Sequence, residues 1–308
     1  MKIVMTGSTG FVGSRLVDRL HADGHHILAL VRSAEQARVR FPAATYPQVT
    51  IVPYHPTQSG EWQTIVDGCD GVVNLAGEPI ADRWTPLKRQ AILDSRALGT
   101  RRLVEAIEQA THAPKVLVNA SAVGYYGFSE TETFGEDSPV GRDFLAQVCQ
   151  EWEAAAQSLT HEPCRVVILR IGIVLGNGGA IERMRIPFEL FGGGPIGTGQ
   201  QWFSWIHRDD LVRLICMALT QSEFTGVFNA TAPNPVRMSE LCQSLGEVLS
   251  RPSWLPVPSF ALELLLGEAA QVVLEGQRVL PQRLLETSFQ FQYPTLKPAL
   301  QEFLSSRR

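Results

Sequence analysis

The spacing of the glycines in Lys2-Ile-Val-Met-Thr-Gly7-Ser8-Thr9-Gly10-Phe11-Val12-Gly13 constrains this chain more than any other feature. A short apolar run leads into a glycine turn and then into an amphipathic pattern of Phe11, Val12, Leu16, Val17 and Leu20. Strand, turn and helix in that order open a βαβ unit of the kind that binds a dinucleotide. Gly7 permits the tight turn, Gly10 lets backbone N–H groups approach a pyrophosphate, and Gly13 lets the helix pack closely on the sheet. The helix N-terminus adds unpaired N–H groups and a positive dipole end. Ser8, Thr9, Phe11 and Val12 belong to the same loop and helix start, and are expected to border the ligand.

Apolar, β-branched runs recur at Lys2–Met5, His26–Val31, Val49–Pro53, Gly71–Leu75, Lys115–Ala120 and Arg165–Arg170. Helical patterns lie between them at Phe11–Ala22, Glu61–Val66, Leu87–Ala110 and Asp143–Leu159. Alternation of this kind predicts an α/β fold, a Rossmann-type doubly wound parallel sheet. After Ile171 the texture changes to glycine-rich loops (Gly176 to Gly179, Gly192 to Gly199) and clustered prolines, followed by helical patterns at Met238–Leu249, Phe260–Leu266 and Leu296–Leu304. We therefore expect a dinucleotide-binding domain over residues 1–170, completed by part of 200–232, and a smaller, loop-rich substrate domain over 171–308.

A net charge of −4 argues against a nucleic-acid or anionic-membrane partner. No apolar run approaches the ~18 residues of a membrane span, and Thr6 to Gly10 interrupts any leader-like stretch after four apolar residues. Five scattered cysteines without a C-x-x-C pair suggest neither a disulfide framework nor a metal site. The expectation is a cytoplasmic protein with a small-molecule substrate and no metal; its oligomeric state is not readable.

At the end of the second strand a dehydrogenase selective for NAD places a carboxylate to bond the ribose 2′-hydroxyl. Here the chain reads Val31-Arg32-Ser33. A guanidinium fork and a hydroxyl suit a 2′-phosphate, which favours NADP(H) over NAD(H).

The G-x-x-G-x-x-G spacing resembles the extended short-chain dehydrogenase/reductases, the nucleotide-sugar epimerase group. Asn74-Leu75-Ala76-Gly77, Arg96-Ala-Leu-Gly99-Thr100, Tyr126-Gly127 and Trp205-Ile-His-Arg-Asp-Asp210 carry the resemblance. An atypical epimerase-family subgroup, sometimes labelled cell-division inhibitors, is more similar still. It shares Leu75-Ala-Gly-Glu78, Ser121-Ala-Val-Gly-Tyr-Tyr-Gly127, Phe203-Ser-Trp-Ile-His207 and Asn229-Ala-Thr-Ala-Pro-Asn-Pro-Val236, together with a C-terminal segment from about Arg251. The resemblance implies cofactor contacts from Leu75, Ala76, Gly77, Arg96, Ala120, Ser121, Arg170 and Gly172.

The parent family's catalytic pair is missing. Its tyrosine transfers a proton, and a lysine one turn later lowers that phenol's pKa from about 10. Here no tyrosine lies between Tyr126 and Tyr293, and no lysine between Lys115 and Lys297. Phe144 is the expected occupant of the tyrosine position, Ala122 that of the usual serine, and Arg96 that of the usual asparagine. Replacement acid–base candidates are Tyr125, Tyr126, Glu78 and Ser121. Glu130, Glu132, Glu136 and Asp137 read as a solvated acidic loop, and His207 as a hydrogen-bonded structural residue. Two functions remain open: an NADP-dependent oxidoreductase or epimerase-like enzyme with a non-standard proton relay, and a non-catalytic NADP(H)-binding regulatory or interaction protein, possibly linked to cell division.

Overall fold

A computed structural model describes residues 1–305. Its centre is a seven-stranded sheet in which every neighbouring pair is parallel. The strands are β1 (Lys2–Thr6), β2 (His26–Val31), β3 (Val49–Pro53), β4 (Gly71–Asn74), β5 (Val116–Ala122), β6 (Arg165–Ile171) and β7 (Gly226–Ala230). Their spatial order is 7-6-5-4-1-2-3, so the direction of winding reverses between β1 and β4. The carboxyl ends at that reversal form the crevice where ligands of such folds bind.

Alternation along the strands divides the core in two. Ile3, Met5, Val73, Val118, Val167 and Leu169 face one layer, with Leu16, Val17 and Leu20 of α1 (Phe11–Ala22). Val4, Val72, Leu117 and Ile168 face the other, with Leu103, Val104 and Ile107 from the long helix Pro86–Glu108. Two elements depart from expectation. Glu61–Val66 is a single 3-10 segment. Helix α2 (Ala34–Arg40) was not visible as a pattern, because only Ala37 of its seven residues is buried. It forms because the Ser33 hydroxyl accepts the Gln36 N–H (3.3 Å) and caps it.

Further helices are α3 (Pro86–Glu108), α4 (Phe144–Gln157), α5 (Gly179–Glu189), α6 (Arg208–Thr220) and α7 (Met238–Leu249), then shorter ones at Ser259–Leu266, Gln271–Leu274 and Gln282–Leu285 and an amphipathic helix at Leu296–Ser305. α5, α7 and the last helix enclose a separate core with Phe203, Trp205, Met238, Leu241 and Phe303. Residues 226–230 of the second half return to pair with β6.

His207 joins this second core to α6. Its Nδ1 accepts the Asp209 N–H (3.2 Å), so the ring proton sits on Nε2, 3.2 Å from Glu302. Burial pushes its pKa down, against the nearby charges of Glu302, Asp209 and Asp210. As pH falls below ~6.5 the unfolded chain gains a proton that the native imidazole refuses, so this group subtracts stability in acid. His207→Asn, which keeps a cap acceptor, should show a shallower loss of stability between about pH 7 and pH 5 than wild type in urea titrations. A second prediction concerns Gly13, where a Cβ would collide with the carbonyl oxygen of Gly7. Gly13→Ala should cost about 1–3 kcal/mol by denaturant unfolding.

Candidate functional site

Two depressions meet at the carboxyl ends of the central strands. The first is a narrow groove lined by Gly7, Thr9, Gly10, Arg32, Leu75, Ala76, Gly77, Glu78 and Ser95. Buried polar bonds shape its floor: Thr6 Oγ1 donates to Asn74 Oδ1 (2.7 Å), and Asn74 Nδ2 donates to Thr100 (2.9 Å) and Asn119 (2.7 Å). The same Thr6 oxygen accepts the N–H groups of Leu75 and Ala76, each at 3.1 Å, which pins the loop after β4. Gly7 adopts φ +68°, and a side chain there would strike the Leu75 carbonyl.

This groove suits a dinucleotide. The Ser8 hydroxyl is fully buried within the glycine loop and has no hydrogen-bond partner. Arg32 stands at the groove's edge with its side chain 71% exposed, and its nearest carboxylate, Glu78, is 3.7 Å away. Lys88 holds that carboxylate at 2.9 Å. Glu78, considered from sequence as a general base, thus belongs to the groove and does not line the second depression. Ser33 is committed to its helix cap. Phe11 sits against the glycines at 176, 178 and 179 and beneath the Arg208 guanidinium (4.9 Å), while Val12 faces the second depression.

That second depression is a pocket of about 420 Å³ sharing Leu75 with the groove. Ala120, Ser121 and Ala122 from β5 and Gly172 after β6 form its base; Ile92 and Arg96 of α3 and Leu145, Val148, Cys149 and Trp152 of α4 form its walls. Trp202, Ser204, Glu275 and Gln277 approach from the second half of the chain. Phe144, expected at the reacting position, lies elsewhere, edge-on to Trp84 (5.2 Å) and beneath Arg89 (4.1 Å). The helix turns Leu145 and Cys149 inward instead, one turn apart. Burial pushes the Cys149 thiol up to about 12, so it stays protonated near neutrality.

Behind Ser121 lies a buried polar chain. Its hydroxyl donates to Glu153 Oε1 (2.6 Å). Arg170 grips the same carboxylate through Nε (2.9 Å) and Nη2 (2.8 Å), both side chains being 5% exposed. Arg170 Nη1 donates to Tyr126 Oη (2.9 Å) and to the Glu136 carbonyl (3.1 Å), and Tyr126 donates to Asn229 (2.6 Å). Arg170 was expected beside the cofactor; the structure turns it inward instead. Tyr126 is buried in this chain, and burial pushes its phenol up to about 12, the wrong direction for a base at neutral pH. Tyr125 stacks on the Arg170 guanidinium (3.4 Å), and neither tyrosine lines the pocket. Of the four acid–base candidates only Ser121 does. Glu136 is likewise no solvated loop residue: it is 5% exposed and accepts the Asn229 N–H (3.0 Å). Nothing in an acidic run marks which carboxylate will be buried.

The model of the NAD dependent epimerase/dehydratase family matches residues 3–230, and a domain of unknown function, DUF1731, matches 257–303. The chain belongs to the NAD dependent epimerase/dehydratase family. It is 53% identical over 307 residues to the chloroplastic epimerase family protein SDR39U1 homolog of Arabidopsis thaliana, covering 99% of this chain and 87% of that one. Epimerase family protein YfhF of Bacillus subtilis is 39% identical, covering 100% and 99%. A crystal structure of human epimerase family protein SDR39U1 with NADPH superposes with a TM-score of 0.87 at 36% identity, covering 99% of both chains. UDP-glucuronic acid 4-epimerase from Bacillus cereus, at 17% identity and a TM-score of 0.80 over the whole of both chains, shares the fold.

Within the epimerase family this pocket departs sharply from the tyrosine–lysine arrangement, since α4 offers it only Leu145, Val148, Cys149 and Trp152. Among the described residues no group of histidine, cysteine or acidic side chains is arranged to hold a metal ion. The pair behind the pocket gives a direct test of scaffold energetics. Glu153→Leu strands the buried Arg170 charge and should cost about 3–5 kcal/mol in urea unfolding, while adding Arg170→Met should recover most of that loss.

Proposed function

We propose that the chain is an NADP(H)-dependent oxidoreductase acting on a small molecule held in the pocket. The observation that carries the reading is the continuity of the groove with the pocket through Leu75, with Ser121 at the base of the latter. The human relative solved with NADPH supports the choice of cofactor. Backbone N–H groups of the Gly7–Gly10 loop would hold the pyrophosphate, with the unpartnered Ser8 hydroxyl beside it. Arg32 would hold the 2′-phosphate, with Lys88 neutralising the neighbouring Glu78.

A nicotinamide dinucleotide supplies or removes hydride at its nicotinamide ring. This chain's part is to place the substrate and handle the proton. Ser121 has its own proton committed to Glu153, so its oxygen is left to accept a hydrogen bond from a substrate hydroxyl. In the oxidative direction a substrate hydroxyl's proton would pass to Ser121 Oγ as the Ser121 proton moves to Glu153 Oε1, and reduction of a carbonyl would run the same relay in reverse from a Glu153 that carries the proton. The apolar walls exclude water from this step.

Among the described residues lining the pocket there is no tyrosine, histidine or lysine, which favours a second reading, a cofactor-binding regulatory protein without turnover. The two separate experimentally. With the first carbonyl compound found to oxidise bound NADPH, Ser121→Ala should lower kcat about 10²-fold while NADPH affinity stays unchanged. A panel of aldehydes, ketones and nucleotide sugars that never yields oxidised cofactor supports the regulatory reading. Cofactor choice is tested by fluorescence titration with NADPH and NADH. Arg32→Ala should weaken NADPH about tenfold and NADH little; an unchanged preference would overturn the role given to Arg32.

A further inference from the structure

Arg96 is the one basic residue lining the pocket, and only part of it is used. Its Nη1 donates to the carbonyl oxygens of Glu78 (3.0 Å) and Ile92 (3.2 Å), which fixes the plane of the guanidinium. Its Cζ lies 5.2 Å from the Trp152 ring centre. Among the described residues no carboxylate comes within ion-pair distance of it, and its Nε and Nη2 make no hydrogen bond. Burial pushes its pKa down, against the nearby charge of Glu78. The other charged residue lining the pocket is Glu275, an exposed side chain on the opposite wall.

The Nε–Nη2 edge of an arginine presents two parallel donors that match the two oxygens of a carboxylate. Arg170 in this same protein shows the match, for that edge holds Glu153 at 2.9 and 2.8 Å. The corresponding edge of Arg96 makes no hydrogen bond; its guanidinium packs beside Gly77 of the groove and stands at the wall of a cavity whose lining is mostly apolar, with Leu75, Ile80, Leu145 and Val148. A single cation among apolar side chains suits one negative charge on an apolar body. A diphosphate would need several cations here.

We infer that Arg96 anchors the carboxylate of an otherwise apolar substrate, a monocarboxylic acid carrying its reactive carbonyl or hydroxyl within the pocket. The inference deepens the oxidoreductase reading and rests on it for the chemistry, although the binding can be measured without turnover.

The test is calorimetric titration of the purified protein with decanoate, decanol and UDP, with and without saturating NADPH. Decanoate should bind at least tenfold more tightly than decanol, and UDP more weakly than decanoate. Arg96→Gln should abolish the preference for decanoate and Arg96→Lys should retain part of it. Val148→Trp, which fills the cavity and keeps the cation, should block decanoate while leaving NADPH affinity unchanged. Undetectable decanoate binding, equal binding of decanoate and decanol, or a preference surviving in Arg96→Gln would overturn the inference. So would tighter binding of UDP, or competition between decanoate and NADPH with NADPH affinity lost in Arg96→Gln, which would assign the cation to the cofactor. If wild type fails to bind NADPH at all, the oxidoreductase reading falls, and the titrations without cofactor still decide for or against the anion site.

Discussion

The Glu153–Arg170 pair is the interaction on which the rest of the site depends. Few buried charges stabilise a fold outright, because the desolvation of two ions roughly cancels their attraction. This pair is useful for its valency. Glu153 belongs to α4 and Arg170 to β6, so the bidentate contact fixes the helix against the sheet where the pocket opens. The remaining donors and acceptors reach Ser121 on β5, Tyr126 after it, Asn229 on β7 and the Glu136 carbonyl. Asn229 in turn donates to the Leu280 carbonyl, and Ser204 accepts the Val279 N–H, so the second half of the chain is registered on the same chain of polar groups.

Such a network explains how the family's reactive pair can vanish without collapse of the pocket. In this chain the orientation of α4 is held by an ion pair whose two side chains do not line the pocket. Leu145 and Cys149 occupy the inward positions, and the ion pair lies behind them. The consequence is a mostly apolar pocket whose polar side chains include Ser121 and Arg96 on the groove side and Ser204, Glu275 and Gln277 from the second half of the chain. In such surroundings each polar group counts for more than it would in water.

Much of this was legible in the sequence because local steric requirements are written locally. The glycine loop, the order of strands and helices and the arginine after β2 all follow from spacing within a dozen residues. α2 escaped notice because a seven-residue helix with one buried alanine leaves no periodic trace, although its Ser33 cap was a usable signal. The buried network was illegible for a different reason. Arg170, Glu153, Glu136 and Asn229 lie up to 147 residues from the groups they bond, and burial of a charge is decided by that distant partner. Arg170 therefore passed as a ligand contact and Glu136 as a surface acid. Phe144 precedes the pocket-lining Leu145 by one residue, and that single step turns its side chain from the pocket to Trp84.

The two arginines differ in how their charge is met. Both are enclosed, and both offer the same two-donor edge, yet one has a carboxylate and the other has none. A guanidinium with no bonded carboxylate beside a mostly apolar cavity carries a desolvation cost. Its two carbonyl contacts orient the cation without neutralising it. Orientation without neutralisation is the condition for binding an anion that arrives and leaves. On the proposed reading, Arg96 is therefore the group that distinguishes a ligand-binding pocket from a cofactor held only to stabilise the fold.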